Sequence, residues 1–440
     1  MPSLREELDE WLRIPSVSTG GGDAAALRQA CDWVLERIEA AGGRAEAVAL
    51  DGGHPMAVGE LRASRPDAPT VLSYGHYDVQ APGPPEAWDS PPFEPTERDG
   101  RLYARGAADD KGNFLPLLHV GCELARAGAL PVNVRFLVEG EEEIGSRSVL
   151  KRLGAGEDEA DCALVFDTIM VDERTPAITV ASRGLMQAKV EVRTAARDLH
   201  SGFYGGAVLN AAHVLVAMLA EVAPDAAGRA RPKLAAGAAP VRPEERDSWE
   251  RLPPGADAIS AVGGVEVTPG AGDEFYARTG AEPAVDVNMV AGGEPRTIVP
   301  AAATGYVSVR LAPGQRAEQI GAELERLLRA AAPDRAEVSI EMDLADPALF
   351  DPAHPALKLA AAAMERACGR PPSLVRLGGT LPLLAVLAER GTPAVVSGFA
   401  LPDDAFHAPN ESYRIESLHL GEAAARELYR ALAELPADRR

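Results

Sequence analysis

Apolar residues fall along this chain in three distinct patterns. The first is helical: Leu4, Leu8, Trp11 and Leu12 share a face behind a capping box running from Ser3 to Glu6, and Leu27, Ala30, Cys31, Val34, Leu35 and Ile38 repeat the spacing over 23–41 until Gly42-Gly43 stops it. The second consists of short strand-like runs near 56–62, 70–76, 132–138 and 163–166, with helical stretches at 110–128 and from Ser146 between them. Apolar strands separated by helices predict an α/β fold: a mixed, mainly parallel sheet covered by helices.

The third pattern begins after Gly184. Residues 186–192, 307–311 and 338–342 alternate strictly between apolar and polar, which predicts strands with one wet face, and helical stretches at 206–222 and 315–331 accompany them. Residues 224–283, rich in Gly, Pro and Ala, are expected to be looped. From Ala353 the earlier style returns, with a buried strand at 393–397 and a final helix from about Glu416. A larger domain, 1–183 and 346–440, is therefore expected to be interrupted by an inserted α+β domain with an antiparallel sheet, 184–345.

At 440 residues and 46% hydrophobic content the chain can fill two cores. Its net charge of -22 repels phosphate backbones and anionic lipid, so neither nucleic acid nor a membrane surface is an expected partner. The four cysteines show no C-x-x-C spacing, no basic and apolar leader is seen at the amino terminus, and no apolar run reaches the about 20 residues of a membrane helix. A cytoplasmic location is expected.

Candidate chemistry collects where predicted strands end. His76 and Asp78 lie two residues apart in Leu72-Ser-Tyr-Gly-His-Tyr-Asp78, so both can point to one side of a strand end. Asp109 stands where a helix begins, a place that an ordinary cap would also explain. Glu139-Gly-Glu-Glu-Glu143 sets four carboxylates in five positions, a solvated turn unless a cation relieves their repulsion. Asp167 closes an apolar strand, and His407 follows the last one. Singly, each has a plain structural role. Jointly, His76, Asp109, Glu143, Asp167 and His407 lie in loops after strands, where open α/β sheets gather binding groups, and two imidazoles with three carboxylates suit zinc or a similar borderline metal.

The strings G-H-Y-D-V at 75–79, R-G-A-A-D-D-K-G at 105–112, E-G-E-E-E-I-G-S at 139–146, D-L-H-S-G-F-Y-G-G at 198–206 and R-L-G-G-T-L-P at 376–382 resemble the dinuclear metallopeptidases that include carnosine dipeptidases, acetylornithine deacetylase and succinyl-diaminopimelate desuccinylase. The resemblance implies two divalent ions per subunit, zinc with manganese or cobalt as alternatives. His76 and Asp167 would hold one, Glu143 and His407 the other, and Asp109 would bridge them. It further implies that Asp78 orients His76, that Glu142 is the general base, and that His200 stabilises the oxyanion in the partner subunit of a homodimer. Arg310, Gly378, Gly379 and Thr380 would bind the substrate's carboxylate, and Asn288 would contact substrate. The larger domain becomes the catalytic one, and the insertion a lid that also dimerises.

Asp167, where deacylases carry Glu, and the long 224–283 segment resemble the dipeptidase branch. The expected activity is hydrolysis of dipeptides or short peptides with a free carboxylate, with an acylated amino acid as the alternative substrate of a deacylase or desuccinylase. A catalytically silent relative would lack Glu142 or a metal ligand, and neither is missing. Thr380 for Ser, Ala108 for Thr and Ile144 for a small residue depart from the family pattern without touching a proposed ligand.

Overall fold

The computed structural model describes residues 2–436 and divides into two compact units. The first comprises Met1–Val180, Phe350–Val375 and Val386–Arg440, and the second Ala181–Leu349 with Arg376–Ala385.

The first unit is built on a mixed sheet. Strands Asn133–Glu139, Thr70–His76, Cys162–Phe166 and Ala394–Ser397 run parallel in that spatial order. Arg44–Val48 and Met56–Leu61 add antiparallel strands at one edge, and Ala177–Ser182 lies antiparallel beside Ala394–Ser397. Every residue of Cys162–Phe166 and all but the first of Thr70–His76 are buried, as expected for strands covered on both faces. Helix Leu4–Leu12 opens with the capping box read from the sequence, Ser3 N donating to Glu6 Oε2 at 2.7 Å while Ser3 Oγ accepts from Glu6 N at 3.3 Å. Its Trp11 stacks on Trp33 of helix Ala24–Ala40 with centroids 4.8 Å apart. Helices Lys111–Arg126 and Ile415–Leu432 pack on each other in the same unit.

Side-by-side alignment of the parallel strands places their carboxyl ends together. Gly398 makes this possible at one joint, because a Cβ there would stand 1.7 Å from the carbonyl oxygen of Thr168. Only glycine lets the backbones after Ser397 and Phe166 approach so closely, and the amide of Asp167 then donates to Ser397 O at 3.0 Å.

The second unit is a four-stranded antiparallel sheet in the order Ala284–Ala291, Ala302–Leu311, Gly184–Arg193, Glu337–Ala345. Gly184–Arg193 alternates buried with more accessible positions along its length. Met186 and Val190, with Val307 and Val309, meet Leu215 and Leu219 of helix Ala211–Val222 and Leu324 and Leu328 of helix Ala317–Ala331 in one core. Residues 224–283 depart from the expected loop. Three short helices, Pro243–Trp249, Gly255–Ala261 and Phe275–Gly280, form there, each too short to show an apolar period.

A second difference concerns Arg376–Ala385, which lies inside the span 346–440 assigned to the larger domain but clusters with the second unit. A buried ion pair helps to hold it there: Arg376 Nε and Nη2 donate to Glu245 Oε2 and Oε1 at 2.6 and 3.0 Å, with both side chains 1% exposed. Removing one partner of such a pair leaves a buried charge uncompensated, at a cost of about 3–5 kcal/mol. Glu245→Ala is therefore expected to lower the urea midpoint followed by circular dichroism, whereas an unchanged midpoint would show that the pair contributes nothing.

Candidate metal centre

His76 ends its strand with the ring fully buried. Nε2 lies 3.1 Å from Asp109 Oδ1 and 3.9 Å from Asp167 Oδ1. The other oxygen of Asp109, Oδ2, is 2.9 Å from His407 Nε2, which is in turn 3.3 Å from Glu143 Oε2. Two ligand groups result, His76/Asp109/Asp167 and Asp109/Glu143/His407, each with its donor atoms within 4.8 Å of one another, and Asp109 belongs to both. Each group combines an imidazole with two carboxylates, a donor set that fits a borderline divalent cation on either side of Asp109.

A third cluster, His119, Glu123 and Glu422, has comparable spacing. There Arg426 already donates to Glu123 at 2.9 and 2.7 Å and to Glu422 at 3.2 Å, so a guanidinium neutralises the carboxylates. It is an ion-pair network.

Burial and mutual repulsion set the charges at the centre. Desolvation pushes the Asp167 carboxyl well above its ordinary range, reinforced by Glu142, Asp109 and Glu143 although His76 opposes it. Burial raises Glu142 to about 7, with Asp109 and Glu143 adding to the effect against His76. Hydrogen bonds to Asp109 and Glu143 raise His407 to about 10. For Asp109 burial acts upward, but the bonds from His407 and His76 outweigh it and hold the carboxyl low. Acids crowded in a dry site are costly, and cations relieve that cost.

The surrounding residues fix these groups. His76 Nδ1 is 3.0 Å from the backbone oxygen of Asp78 and 3.5 Å from its carboxylate, so the backbone is the nearer partner. The Asp78 carboxylate also accepts from the amides of Glu142 and Glu143, both at 3.2 Å, and from Ser18 Oγ at 2.6 Å, tying the His76 strand end to the turn Glu142–Ile144. Gln80 Nε2 donates to Glu143 Oε2 at 2.8 Å. Lys111, buried after Asp109 and Asp110, donates to the carbonyls of Trp11 and Ile14 at 3.0 and 2.9 Å.

The second unit carries the remaining sequence-derived residues. Arg310 Nη1 donates to Thr380 Oγ1 at 3.1 Å, and that hydroxyl donates to Arg183 O at 2.8 Å. Arg183 Nε donates to Gly378 O at 3.1 Å. Burial, and then the charge of Arg310, lower Arg183 to about 10. Arg310 and Arg183 thus meet at the Gly378-Gly379-Thr380 turn, where the charge of Asp286 opposes that of Arg310 on Arg183. Asn288 is exposed at a register shift between Val287 and Met289. His200 is exposed and caps the turn Ser201–Tyr204, its Nδ1 accepting from Gly202 N at 3.1 Å, which leaves Nε2 to carry the donor hydrogen.

A model described as peptidase family M20/M25/M40 matches residues 72–431. The chain belongs to this family. Among relatives of this M20 peptidase, the cysteinylglycine-S-conjugate dipeptidase of Corynebacterium striatum is 30% identical over 370 residues, covering 81% of this chain and 80% of the relative. The human β-Ala-His dipeptidase is 28% identical over 373 residues, covering 81% and 73%. An M20 metallo-carboxypeptidase of Sulfolobus solfataricus superposes with a TM-score of 0.84 at 23% identity, covering 99% of this chain and all of the other, and so shares the fold. M20 membership makes this chain a hydrolase, and metallopeptidases of the family use divalent metals.

Arg183, Ser18 and Gln80 carry no motif that marks them in the sequence. Arg183 borders the first alternating strand, but only its contact with Gly378, 195 positions away, reveals its role. Asp109→Ala is expected to reduce the divalent metal bound per chain; elemental analysis showing wild-type content would exclude a shared ligand.

Proposed function

We propose that this M20 peptidase is a metal-dependent dipeptidase that hydrolyses the peptide bond of dipeptides or short peptides bearing a free C-terminal carboxylate. The observation that carries the reading is Asp109, whose two oxygens face imidazoles from a strand end and from a distant loop while Glu142 stands beside the ligand Glu143. Two divalent cations, zinc by the donor set with manganese and cobalt as fitting alternatives, would supply Lewis acidity to the scissile carbonyl and to the attacking water. His76 and Asp167 would hold one, Glu143 and His407 the other, with Asp109 shared. Glu142, the general base, takes the proton of the water as its oxygen attacks the carbonyl carbon, and delivers it to the nitrogen as the C–N bond breaks. His200 Nε2–H donates to the oxyanion, a contact worth about 2.7–4 kcal/mol in other hydrolases.

Arg310, oriented by the Thr380 hydroxyl beside Gly378 and Gly379, binds the substrate carboxylate, and Asn288 contacts the rest of the substrate. The dipeptidases among the relatives support this substrate class. A homodimer is supported by the exposed edge strand Ala284–Ala291, where Val287, Met289 and Val290 are 41, 41 and 51% exposed, since an apolar sheet edge calls for cover. Phe203, 80% exposed and against the His200 ring, points the same way. The four free thiols suit the reducing cytoplasm, where we place the enzyme.

Glu142→Gln is expected to keep its metal and lose about 10²–10⁴-fold in turnover. His200→Ala should lose turnover too, and mixed dimers of the two variants should regain part of it; near wild-type rates for Glu142→Gln sink the base assignment, and verified mixed dimers without rescue sink the shared site. Arg310→Met should weaken free-carboxylate dipeptides about 10- to 100-fold, the loss of a charged hydrogen bond, and leave amidated ones nearly unchanged. Equal losses on both would remove the carboxylate role.

A further inference from the structure

Beneath the centre lies a carboxylate that the reaction does not use. Glu411 is fully buried and accepts from the amides of Gly106, Ala108 and Asp109 at 2.9, 2.9 and 3.1 Å. It also accepts from Arg105 Nη1 at 2.6 Å. Arg105, 1% exposed, returns the link through Nη2 to Ala408 O at 3.2 Å, one residue after His407. The loop that supplies Asp109 is therefore wrapped on a side chain of the loop that supplies His407, although the two ligands are 298 positions apart.

The His407 loop needs such support. Ala405, His407 and Asn410 have φ of 57°, 57° and 61°, a region that residues with a Cβ avoid. Such backbone persists only where its surroundings over-determine it. Asn410 is held separately, its side chain accepting from Asp89 N at 2.9 Å and donating to Ala87 O at 3.1 Å. Next to His407 itself, the Asp109 loop takes hold through Arg105 on the Ala408 carbonyl.

We propose that Glu411 and Arg105 form a positioning pair that sets His407 Nε2 against Asp109 Oδ2, and so governs closure of the Asp109/Glu143/His407 group on its cation. The inference rests on the two-cation reading above. The His76/Asp109/Asp167 group depends less on the pair, because His76 and Asp167 are fixed by sheet strands. Loss of the Glu411 charge would also leave Arg105 as an uncompensated cation behind the Asp109 loop, which disfavours the same ion.

The test is calorimetric titration of metal-stripped wild type, Glu411→Gln and Arg105→Lys with Zn²⁺, with near-ultraviolet circular dichroism to confirm packing. Wild type should take two equivalents. Both variants should bind the first within about threefold of wild type and the second at least about tenfold more weakly, the scale of loss for groups that support metal ligands. Turnover missing at limiting zinc should return in excess zinc, with KM unchanged. Fewer than two equivalents in wild type would overturn the two-cation reading itself. Two tight equivalents in both variants, or equal weakening of both ions, would overturn the positioning role while leaving that reading intact. If Glu411→Gln fails to fold, Arg105→Lys separates the same outcomes alone, since it keeps the charge and loses the fork.

Discussion

Asp109 must serve two imidazoles at once, and most of the first unit follows from that requirement. A carboxylate with His76 on one oxygen and His407 on the other needs a fixed plane, a fixed loop and neighbours that cannot retreat. Parallel strands meet it by ending together, so that His76 and Asp167 arrive on rigid supports. Asp78 meets it for the Glu142–Glu143 turn by accepting both amides of that turn. The result is a dense concentration of acid, offset in part by the two imidazoles, whose remaining repulsion a bound cation would relieve.

The second unit solves the opposite electrostatic problem. Arg183 and Arg310 crowd positive charge near the Gly378–Thr380 turn, and the charge of Arg310 helps lower Arg183. Asp286 acts the other way on Arg183, so the positive charge at the turn is only partly offset. The short helices of 224–283 buttress that turn: Glu245 grips Arg376, and Arg278 O accepts from Arg183 Nη1 at 3.3 Å. Thr380 keeps the hydroxyl that bonds Arg183 O and Arg310, so the added methyl group leaves that bonding intact.

What could be read from the sequence was local. Alternation in 186–192 and unbroken apolarity in 163–166 each report which strand faces are buried, and His76 and Asp167 were visible because they punctuate such runs. The Leu4–Leu12 helix announced itself through Ser3 and Glu6. The five ligand candidates could be nominated from strand ends, but their pairing about Asp109 came only from the family resemblance. Long-range partners left no local mark. Glu411 reads as one more acid in a loop, Arg376 as a residue of the larger domain, and Arg183 as a strand-edge cation, until partners more than a hundred positions away tie each into the fold. The helices within 224–283 escaped detection because none spans the two turns over which an amphipathic period can be counted.

The placement of Ala394–Ser397 between Cys162–Phe166 and Ala177–Ser182 has a consequence for biosynthesis. As the chain leaves the ribosome, residues 1–180 contain His76, Asp109 and Asp167 but lack the strand that joins Cys162–Phe166 to Ala177–Ser182. Until it is translated, two neighbouring strands present unpaired backbone edges of the kind that invite wrong partners. The inserted unit, built on its own antiparallel sheet, can begin to form during that interval, so the later stretch of the polypeptide both zips the first sheet and delivers His407.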